Sequence, residues 1–324
     1  MLDAGPLLDE LLAAVGNQRV DADVEVLVCD SGSRDGSQAV ARRHGATLIE
    51  IARDDFSHGA TRNLMVQRAS GDVVAFLTQD AIPASEDWLA CLLGGFGLAE
   101  DVALVYGPYR PRRDASPSVA RELSEFFATM APNGEPVMDR ASPDGAWRDV
   151  SARASFFTDA NGAVARWAWE RVPFPDVPYA EDRLLAVRML EAGLAKAYVP
   201  RAAVAHSHDY GPWDLFRRYF DEFRGLREIS GHVEPLSPRR TLGVMRQQVA
   251  ADRAWCRAEG VGGRELDLAT LRSARHFAIR AMGSQLGSRA DRVPPRLRRI
   301  CSLERRATFE PVARSVLTDR ERTD

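Results

Sequence analysis

Strand-like and helix-like patterns alternate along residues 23–80, and this alternation restricts the fold more than any other feature of the chain. In order, the patterns are strand DVEVLVCD, helix SQAVARRHG, strand ATLIEI, helix ATRNLMVQRASG and strand DVVAFLTQD. A helix between two strands returns the chain to the edge of the sheet where the first strand began, so the strands are predicted to lie parallel. Ligands of such α/β sheets bind beyond the carboxyl ends of the strands, where Asp30 and Asp80 stand.

The rest of the chain shows a different arrangement of predicted elements. A strand is predicted at VALVYG, followed by a helix over about residues 119–130 and a loop rich in proline and glycine. A capped helix in PYAEDRLLAVRMLEAG and a strand at AKAYVP come next, and arginine-rich helices begin near Pro238. We predict two regions, an α/β domain over residues 1–235 and a helical C-terminal region over residues 236–324.

Composition agrees with one large domain and an appendage. The chain has 324 residues, of which 45% are hydrophobic and 27% charged. Its four cysteines contain no C-x-x-C pair, which argues against a zinc site or a disulfide framework and favours a reducing cytoplasm. The sequence shows no signal-peptide pattern and no apolar run of about 18 residues that could span a bilayer.

The acidic and serine-rich turn CDSGSRDGS follows the first predicted strand. Aspartate and serine side chains commonly satisfy free backbone N–H groups in turns and cap the next helix. The turn can therefore be read as structural, with Asp35 as the capping residue. The alternative is that Asp30 binds a ligand at the end of the strand.

Five ordered blocks together favour the second alternative: CDSGSRDGS, FSHGATRN, FLTQDAIP, AEDRLLAVRMLEAG and AHSHDYG. From about residue 23 to residue 225 the chain resembles the inverting family 2 glycosyltransferases of the GT-A fold, and in particular their rhamnosyltransferase-like branch. The resemblance implies a Rossmann-like mixed sheet flanked by helices. It also implies transfer of a sugar, L-rhamnose from dTDP-rhamnose, to a cell-envelope glycan or lipid-linked acceptor. The implied partners are a dTDP or UDP sugar and that acceptor, and no nucleic acid.

The resemblance assigns the nucleotide to the first two blocks. Asp30 would accept a hydrogen bond from the ring N–H of uracil or thymine, with Ser31 in the turn that approaches the nucleotide. Arg62 and Asn63 would lie near the diphosphate, since helix starts and arginine forks both bind phosphate. A surface arginine and a capping asparagine are the structural alternative.

The resemblance assigns a divalent metal to the third and fifth blocks. Thr78 stands where the family usually has the first acid of an Asp-x-Asp strand end, with Gln79 and then Asp80 after it. Asp80 would hold Mg²⁺ or Mn²⁺ together with the diphosphate, and His206 or His208 would complete the ligand set. Thr78 and Gln79 would contact the nucleotide. The alternatives are a helix-capping aspartate and histidines that hydrogen-bond in the core.

The fourth block supplies the catalytic candidates. Inverting transfer needs a base beside the acceptor hydroxyl, and the resemblance assigns this role to Asp182, next to Glu181. Without the other blocks, two acids at a helix start would simply stabilise the helix dipole. On the acceptor side the family places Asp159, Asn161 and Trp167, which could equally be core residues.

Two departures from the family pattern bear on the fold and the activity. The opening residues MLDAGPLLDELLAAVGNQ resemble the helix that follows the family's first strand, so we expect that central strand to be missing or replaced by another segment. Together with Thr78, this departure keeps open an alternative, a catalytically degenerate GT-A fold that acts as a binding or scaffold subunit.

A nucleotidyltransferase is disfavoured because the Gly-rich loop with its lysine is absent. A processive synthase is disfavoured because membrane helices and a Gln-x-x-Arg-Trp block are absent.

The C-terminal region is basic although the whole chain has a net charge of -3. Residues 236–324 contain 19 arginines against 10 acidic residues. We predict that this region holds the enzyme at the inner face of the cytoplasmic membrane through an interfacial helix. Packing of the same apolar stripe against the catalytic domain is the alternative. The stripe comprises Leu271, Phe277, Ala278, Ala281, Met282 and Leu286, interspersed with Arg272, Arg275, Arg280 and Arg289.

Overall fold

The computed structural model describes residues 1–141, 156–177 and 179–311, which form two compact units. The first unit contains residues 1–112 and 123–206. The second contains residues 113–122 and the chain from Ser207 onward.

The strands are β1 (Leu27–Asp30), β2 (Thr47–Glu50), β3 (Val73–Leu77), β4 (Ile82–Pro83), β5 (Val102–Tyr106), β6 (Tyr109–Arg110), β7 (Val137–Asp139), β8 (Asn161–Ala165), β9 (Ala195–Tyr198) and β10 (Val204–Ala205). The helices are α1 (Leu7–Gly16), α2 (Ser37–Arg43), α3 (His58–Arg68), α4 (Trp88–Gly94), α5 (Pro117–Met130), α6 (Arg166–Arg171), α7 (Glu181–Glu191), α8 (Pro212–Ser230), α9 (Pro238–Ala258), α10 (Gly263–Gly287) and α11 (Pro295–Cys301). Short 3₁₀ turns lie at Arg53–Asp55, Gly95–Leu98 and Ala290–Arg292. None of the helices described has the length and apolar content of a bilayer-spanning segment.

The main sheet of the first unit is mixed, with the strand order β3-β8-β5-β9-β7. Only β5 and β9 run parallel in it, and β8 is antiparallel to both of its neighbours. The mixed sheet flanked by helices is therefore confirmed. Of the three strands predicted to lie parallel, β1 and β2 do pair in parallel, whereas β3 pairs with the antiparallel strand β8. The difference arises at β8, because its five residues NGAVA are too few and too weakly patterned to predict a strand.

Helices cover both faces of this sheet. Leu104 and Tyr106 of β5 pack in a cluster with residues of α3 and α7, while Val105 packs in a second cluster with Trp88 and Leu92 of α4. Side chains alternate between the two faces of a strand, so every residue of β5 is buried. The sheet is thereby held rigidly behind the loops at its ends.

Strands β1 and β2 form a separate parallel pair. On the other edge of β1, the Met1 amino group donates to the Cys29 carbonyl, and the Ser31 amide donates to the Met1 carbonyl at 3.0 Å. The Leu2 amide donates to Gln79 Oε1 at 2.9 Å. Among the described residues, Met1 and Leu2 thus lie between β1 and the end of β3, where we expected the missing strand or its replacement.

The second unit is built on the packing of α8, α9 and α10. Gly283 and Gly287 of α10 face α8 so closely that a Cβ on either would overlap the backbone at Phe216 or Phe220. This contact explains why α8 groups with the C-terminal helices. The second compact unit includes the chain from Ser207, and the domain boundary predicted at residue 236 stays a prediction.

A buried ion pair joins α5 to α9 within the second unit. Arg121 Nε lies 2.5 Å from Asp252 Oδ1, and both side chains are almost fully buried. The Ser273 hydroxyl donates to Asp252 Oδ2 at 2.6 Å, and the Ser118 hydroxyl donates to the same oxygen. The first turns of α5 are therefore joined to α9 and α10 by hydrogen-bonded charges, which are costly to separate once buried.

Candidate active site

Asp30 ends β1 and organises the turn that follows it. Its carboxylate accepts hydrogen bonds from the amides of Gly32 (3.2 Å) and Ser33 (3.1 Å) and from Gln38 Nε2 (2.6 Å). Burial alone would raise the pKa of Asp30, but the hydrogen bonds from Ser33 and Gln38 hold that pKa below its ordinary value. The neighbouring Ser31 is buried and is tied to the Met1 carbonyl. The structure places both residues at the end of the strand, with an ionised carboxylate directed into the turn.

The FSHGATRN segment forms the start of α3. The Ser57 hydroxyl accepts from the Ala60 amide at 3.3 Å and so caps the helix. Gly59 lies in the first turn, where a Cβ would overlap the carbonyl oxygen of Pro175. The glycine is needed because the backbone of the loop before α7 crosses the helix at this point.

Asn63 holds the same loop from the next turn of α3. Its Nδ2 donates to the Phe174 carbonyl at 2.9 Å, and its Oδ1 accepts from the Phe174 amide at 3.0 Å. Trp169 Nε1 also donates to Oδ1 at 2.8 Å. Three hydrogen bonds therefore direct the Asn63 amide to the protein backbone and an indole.

Arg62 joins two acidic residues that are far apart in the sequence. Its Nε lies 2.5 Å from Asp159 Oδ2, and its Nη1 lies 2.7 Å from Glu181 Oε1. Burial would lower the pKa of Arg62, but the charges of Asp159 and Glu181 raise it above the ordinary value. The guanidinium predicted to share the charge of a diphosphate is thus held between carboxylates.

Asp182 adjoins this cluster in the first turn of α7. Burial, and then the charge of Glu181, raise the pKa of Asp182 to about 6, against the opposing charge of Arg62. Burial also raises the pKa of Asp159 well above its ordinary value, with Asp182 and Glu181 contributing. These carboxyl groups therefore influence one another's protonation.

The backbone that introduces α7 is strained. Ala180, directly before Glu181, has φ 54° and ψ 38°, in the left-handed region that disfavours residues with a Cβ. Such conformations persist where the surrounding structure enforces them, and they cluster at functional sites. This strained residue sets the direction in which the two acids enter the site.

The pairing of β4 with β10 brings two predicted metal ligands together. Ala205 lies opposite Ile82 in antiparallel register, so Asp80 just before β4 meets His206 just after β10. The distance from His206 Nδ1 to Asp80 Oδ1 is 3.4 Å. Adjacent ligand atoms on an octahedral Mg²⁺ or Mn²⁺ are about 3 Å apart, so this donor pair fits such an ion. Together with His208, two residues further along, they are a group that could hold a metal ion.

Thr78 and Gln79 precede Asp80 at this strand end. The Thr78 Oγ1 atom is buried without a hydrogen-bond partner among the described residues. Gln79 exchanges hydrogen bonds with the backbone of Leu2. Gln79 therefore holds the start of the chain, and Thr78 leaves a polar atom beside the metal candidates.

The residues predicted for the acceptor side are not gathered in one place. Asn161 is fully buried: its Oδ1 accepts from Trp88 Nε1 at 2.9 Å and its Nδ2 donates to the Ala202 carbonyl at 2.8 Å. Trp167 on α6 is 45% exposed, and Asp159 pairs with Arg62. Asn161 is thus a core residue, and only Asp159 belongs to the acidic cluster.

Tyr109 contacts two parts of the candidate site, although the sequence did not indicate it. Its hydroxyl shares a hydrogen bond with Thr158 Oγ1, next to Asp159, and its ring packs edge-on against His206 with centroids 4.8 Å apart. Tyr109 therefore lies between the acidic cluster and the metal candidates. A tyrosine at the start of a two-residue strand carries no motif that could have revealed this.

Comparison with known proteins places the chain among sugar-transferring enzymes. The family model described as "Glycosyl transferase family 2" matches residues 2–151. The chain is 33% identical over 223 residues to the O-antigen chain rhamnosyltransferase RfbN of Salmonella typhimurium, covering 68% of each chain. It is 32% identical over 202 residues to the O-antigen chain rhamnosyltransferase WbaN of Salmonella anatum, covering 61% of each.

A solved structure shows the same fold. The mannosyltransferase PcManGT from Pyrobaculum calidifontis, in complex with GDP-Man and Mn²⁺, superposes with a TM-score of 0.55. The superposition covers 90% of this chain and 84% of that one at 18% sequence identity. The GT-A architecture expected from the five sequence blocks is thereby confirmed.

Proposed function

Because this chain belongs to glycosyltransferase family 2, we propose that it transfers L-rhamnose from dTDP-rhamnose to a hydroxyl group of a cell-envelope glycan, free or lipid-linked. Membership in the family makes it a glycosyltransferase. The choice of sugar and acceptor is supported by the two relatives that are named as O-antigen chain rhamnosyltransferases. A dTDP donor is proposed ahead of UDP, and no nucleic acid takes part.

The observation that carries the proposal is the acidic cluster at the start of α7. A base must be ionised at working pH and yet bind a proton readily, and a carboxylate whose pKa is about 6 meets both conditions. We assign Asp182 to remove the proton from the acceptor hydroxyl as that oxygen attacks the sugar with inversion. Arg62 and Glu181 position this turn, because the guanidinium anchors Glu181 beside the base.

The donor is proposed to bind at the strand ends of the first unit. Asp30 and Ser31 would receive the pyrimidine base, and Asp80, His206 and His208 would hold Mg²⁺ or Mn²⁺. When bound, the ion offsets charge on the departing nucleoside diphosphate. Thr78 supplies no second carboxylate, so the protein contributes few anionic ligands and the donor's own phosphates are required to complete the shell.

The enzyme is proposed to act in the cytoplasm. Nucleotide sugars are the donors in this reaction, and a lipid-linked acceptor would confine it to the inner face of the cytoplasmic membrane. The scattered cysteines, all free, are compatible with that compartment.

A donor screen tests the proposal. Purified protein with Mn²⁺ would be incubated with dTDP-rhamnose, UDP-glucose or GDP-mannose and a rhamnose-containing glycan, and nucleotide release and product configuration would be measured. We expect transfer from dTDP-rhamnose with inversion at the anomeric carbon. Asp182→Asn should bind the donor as wild type does and lower turnover by about 10² or more. Transfer only from another donor would exclude rhamnose, and an active Asp182→Asn would exclude Asp182 as the base.

A further inference from the structure

One long face of α10 is left exposed by the packing of the second unit. Leu268, Leu271, Met282 and Leu286 on it are 48, 68, 57 and 37% exposed. Their spacing follows the helical repeat, so these side chains form one stripe along the 25-residue helix. We define the basic–apolar face of α10 as Arg264, Leu268, Leu271, Arg275, Met282, Leu286 and Arg289.

The opposite side of α10 accounts for the rest of the apolar pattern. Phe277, which the sequence placed in the same stripe as Leu271, is buried, as are Gly283 and Gly287. The helix therefore packs on the unit with one side and presents large apolar side chains on the other. The predicted stripe is therefore divided between two sides of the helix: Phe277 packs within the second unit, whereas Leu271, Met282 and Leu286 are exposed.

The charged residues of the face as defined are all arginines, although Asp114, Asp209 and Glu265 line one cavity together with Arg272 and Arg275. In the described part of the chain, no carboxylate forms an ion pair with Arg264 or Arg275, or with Arg272 at the edge of the face. Arg289 donates to the side chain of Gln285 and to the carbonyl of Glu234, which are neutral acceptors. The nearby Asp267 is paired with Arg253 instead. The face thus combines exposed apolar side chains with arginines that form no ion pair among the described residues.

A shallow apolar notch of about 330 Å³ continues this surface near the end of α10. It is lined by Leu236, Leu242 and Met245 together with Gln285. Leu236 is 75% exposed, and the backbone before it is held against α10 by a hydrogen bond from Gln285 Nε2 to the Pro235 carbonyl. A strongly exposed leucine therefore lies in the same notch as Gln285 of α10.

We propose that the basic–apolar face of α10 binds the surface of an anionic lipid bilayer. Leucine and methionine side chains of this size can enter the headgroup region, while the arginines contact lipid phosphates. A protein partner would need complementary acids, whereas an anionic bilayer supplies negative charge along the whole 25-residue helix. This face would bring the enzyme to a lipid-linked acceptor, and only that role rests on the proposed function.

Vesicle co-sedimentation of the full chain tests the proposal without any sugar substrate. Phosphatidylcholine vesicles with and without phosphatidylglycerol would be compared at low and high salt. We expect binding that requires phosphatidylglycerol and weakens with salt. Paired substitutions Arg264→Gln with Arg275→Gln, and separately Leu271→Ser with Met282→Ser, should each lower the partition coefficient at least about tenfold.

Matched controls lie on the first unit. Arg53→Gln with Arg68→Gln removes two exposed arginines, and Val24→Ser with Leu98→Ser removes two exposed apolar side chains. These control variants should bind vesicles as wild type does, and circular dichroism would verify that all variants fold.

Failure of the wild-type chain to bind vesicles, or an equal loss of binding in face and control variants, would overturn the proposal. A lipid-free dimer abolished by the face substitutions would identify a second copy as the occupant instead.

Failure of this inference can be told apart from failure of the proposed function. The face variants should retain wild-type transfer to a water-soluble acceptor, because none of the substituted residues belongs to the proposed active site. Vesicle binding without transfer from any donor would leave the surface assigned and the reaction rejected. Transfer without vesicle binding would support the proposed reaction and reject the proposed membrane-binding surface.

Discussion

At the residue scale, the acidic cluster combines a catalytic advantage with a cost in stability. Arg62 carries one positive charge, whereas Asp159, Glu181 and Asp182 can carry three negative charges when all are ionised. The pKa of Asp182 rises because its ionised form is only partly compensated at this partly buried position. The same imbalance that makes a good base therefore destabilises the folded chain at neutral pH.

This imbalance predicts the stability of Asp182→Asn. The folded-state pKa of about 6 exceeds the ordinary value of 3.8, so the folded chain loses stability as pH rises between these values. Asparagine cannot ionise and avoids that loss. We expect the variant to be more stable than wild type by about 1–3 kcal/mol at a pH of about 8, and nearly equal at a pH of about 4.

Denaturant unfolding at both pH values provides the measurement. Asp54→Asn, which removes an exposed carboxylate, is the control and should change stability little at either pH. An Asp182→Asn variant that is no more stable than wild type above pH about 6 would show that the carboxylate is well compensated in the folded state.

The sequence allowed some residues of the candidate site to be predicted, but not the contact of Arg62 with Glu181. Asp30, Asp80 and Asp182 each follow or begin a recognisable element, so their positions could be predicted. The contact of Arg62 with Glu181 joins residues 119 positions apart, and nothing local to either residue specifies it. For that reason Arg62 was predicted beside phosphate rather than between carboxylates.

At the element scale, the short strands were the hardest elements to predict from the sequence. Helices α3 and α7 and strands β1, β3 and β5 have enough apolar residues to be predicted from the sequence. Strand β8 was missed, because five small residues give little periodic signal. Its place in the sheet depends on pairing with β3 and β5 rather than on its own sequence.

Helix α8 illustrates the same limit for domain boundaries. Its sequence is amphipathic and is consistent with either unit, and its placement depends on two glycines of α10 some sixty residues later. Gly283 and Gly287 allow the helices to approach at backbone distance, a property that periodic analysis of apolar residues overlooks.

This close approach predicts opposite effects for two glycine substitutions. Gly283→Ala on α10 should destabilise the chain by about 1–3 kcal/mol, because the new Cβ would lie 2.6 Å from the Phe216 carbonyl oxygen. Gly243→Ala on α9 meets no atom within 4 Å and should stabilise by up to about 1 kcal/mol through helix propensity. Thermal unfolding of the two variants beside wild type measures both. Equal effects of the two substitutions would contradict close packing at Gly283.

At the scale of the whole molecule, charge distribution was more informative than net charge. The excess of arginine in residues 236–324 pointed to a surface, and three of these arginines, Arg264, Arg275 and Arg289, lie on one face of α10. Composition could not identify that face, because large apolar residues occur on both the buried and the exposed side of α10. Only packing against α8 and α9 separates them.

Metal binding is the property that links the site to the stability of the whole chain. A ligand that binds only the folded state raises the free energy of unfolding with its concentration, by about 2.7 kcal/mol at a hundredfold excess over its Kd. If Asp80 and His206 hold the ion, Mn²⁺ should raise the melting temperature progressively, and dTDP should increase the effect because its phosphates complete the ligand set. Asp80→Asn should fold normally and lose most of this response, whereas Asp54→Asn should keep it. Calorimetry across a Mn²⁺ series makes the comparison, and an undiminished response in Asp80→Asn would place the ion at other residues.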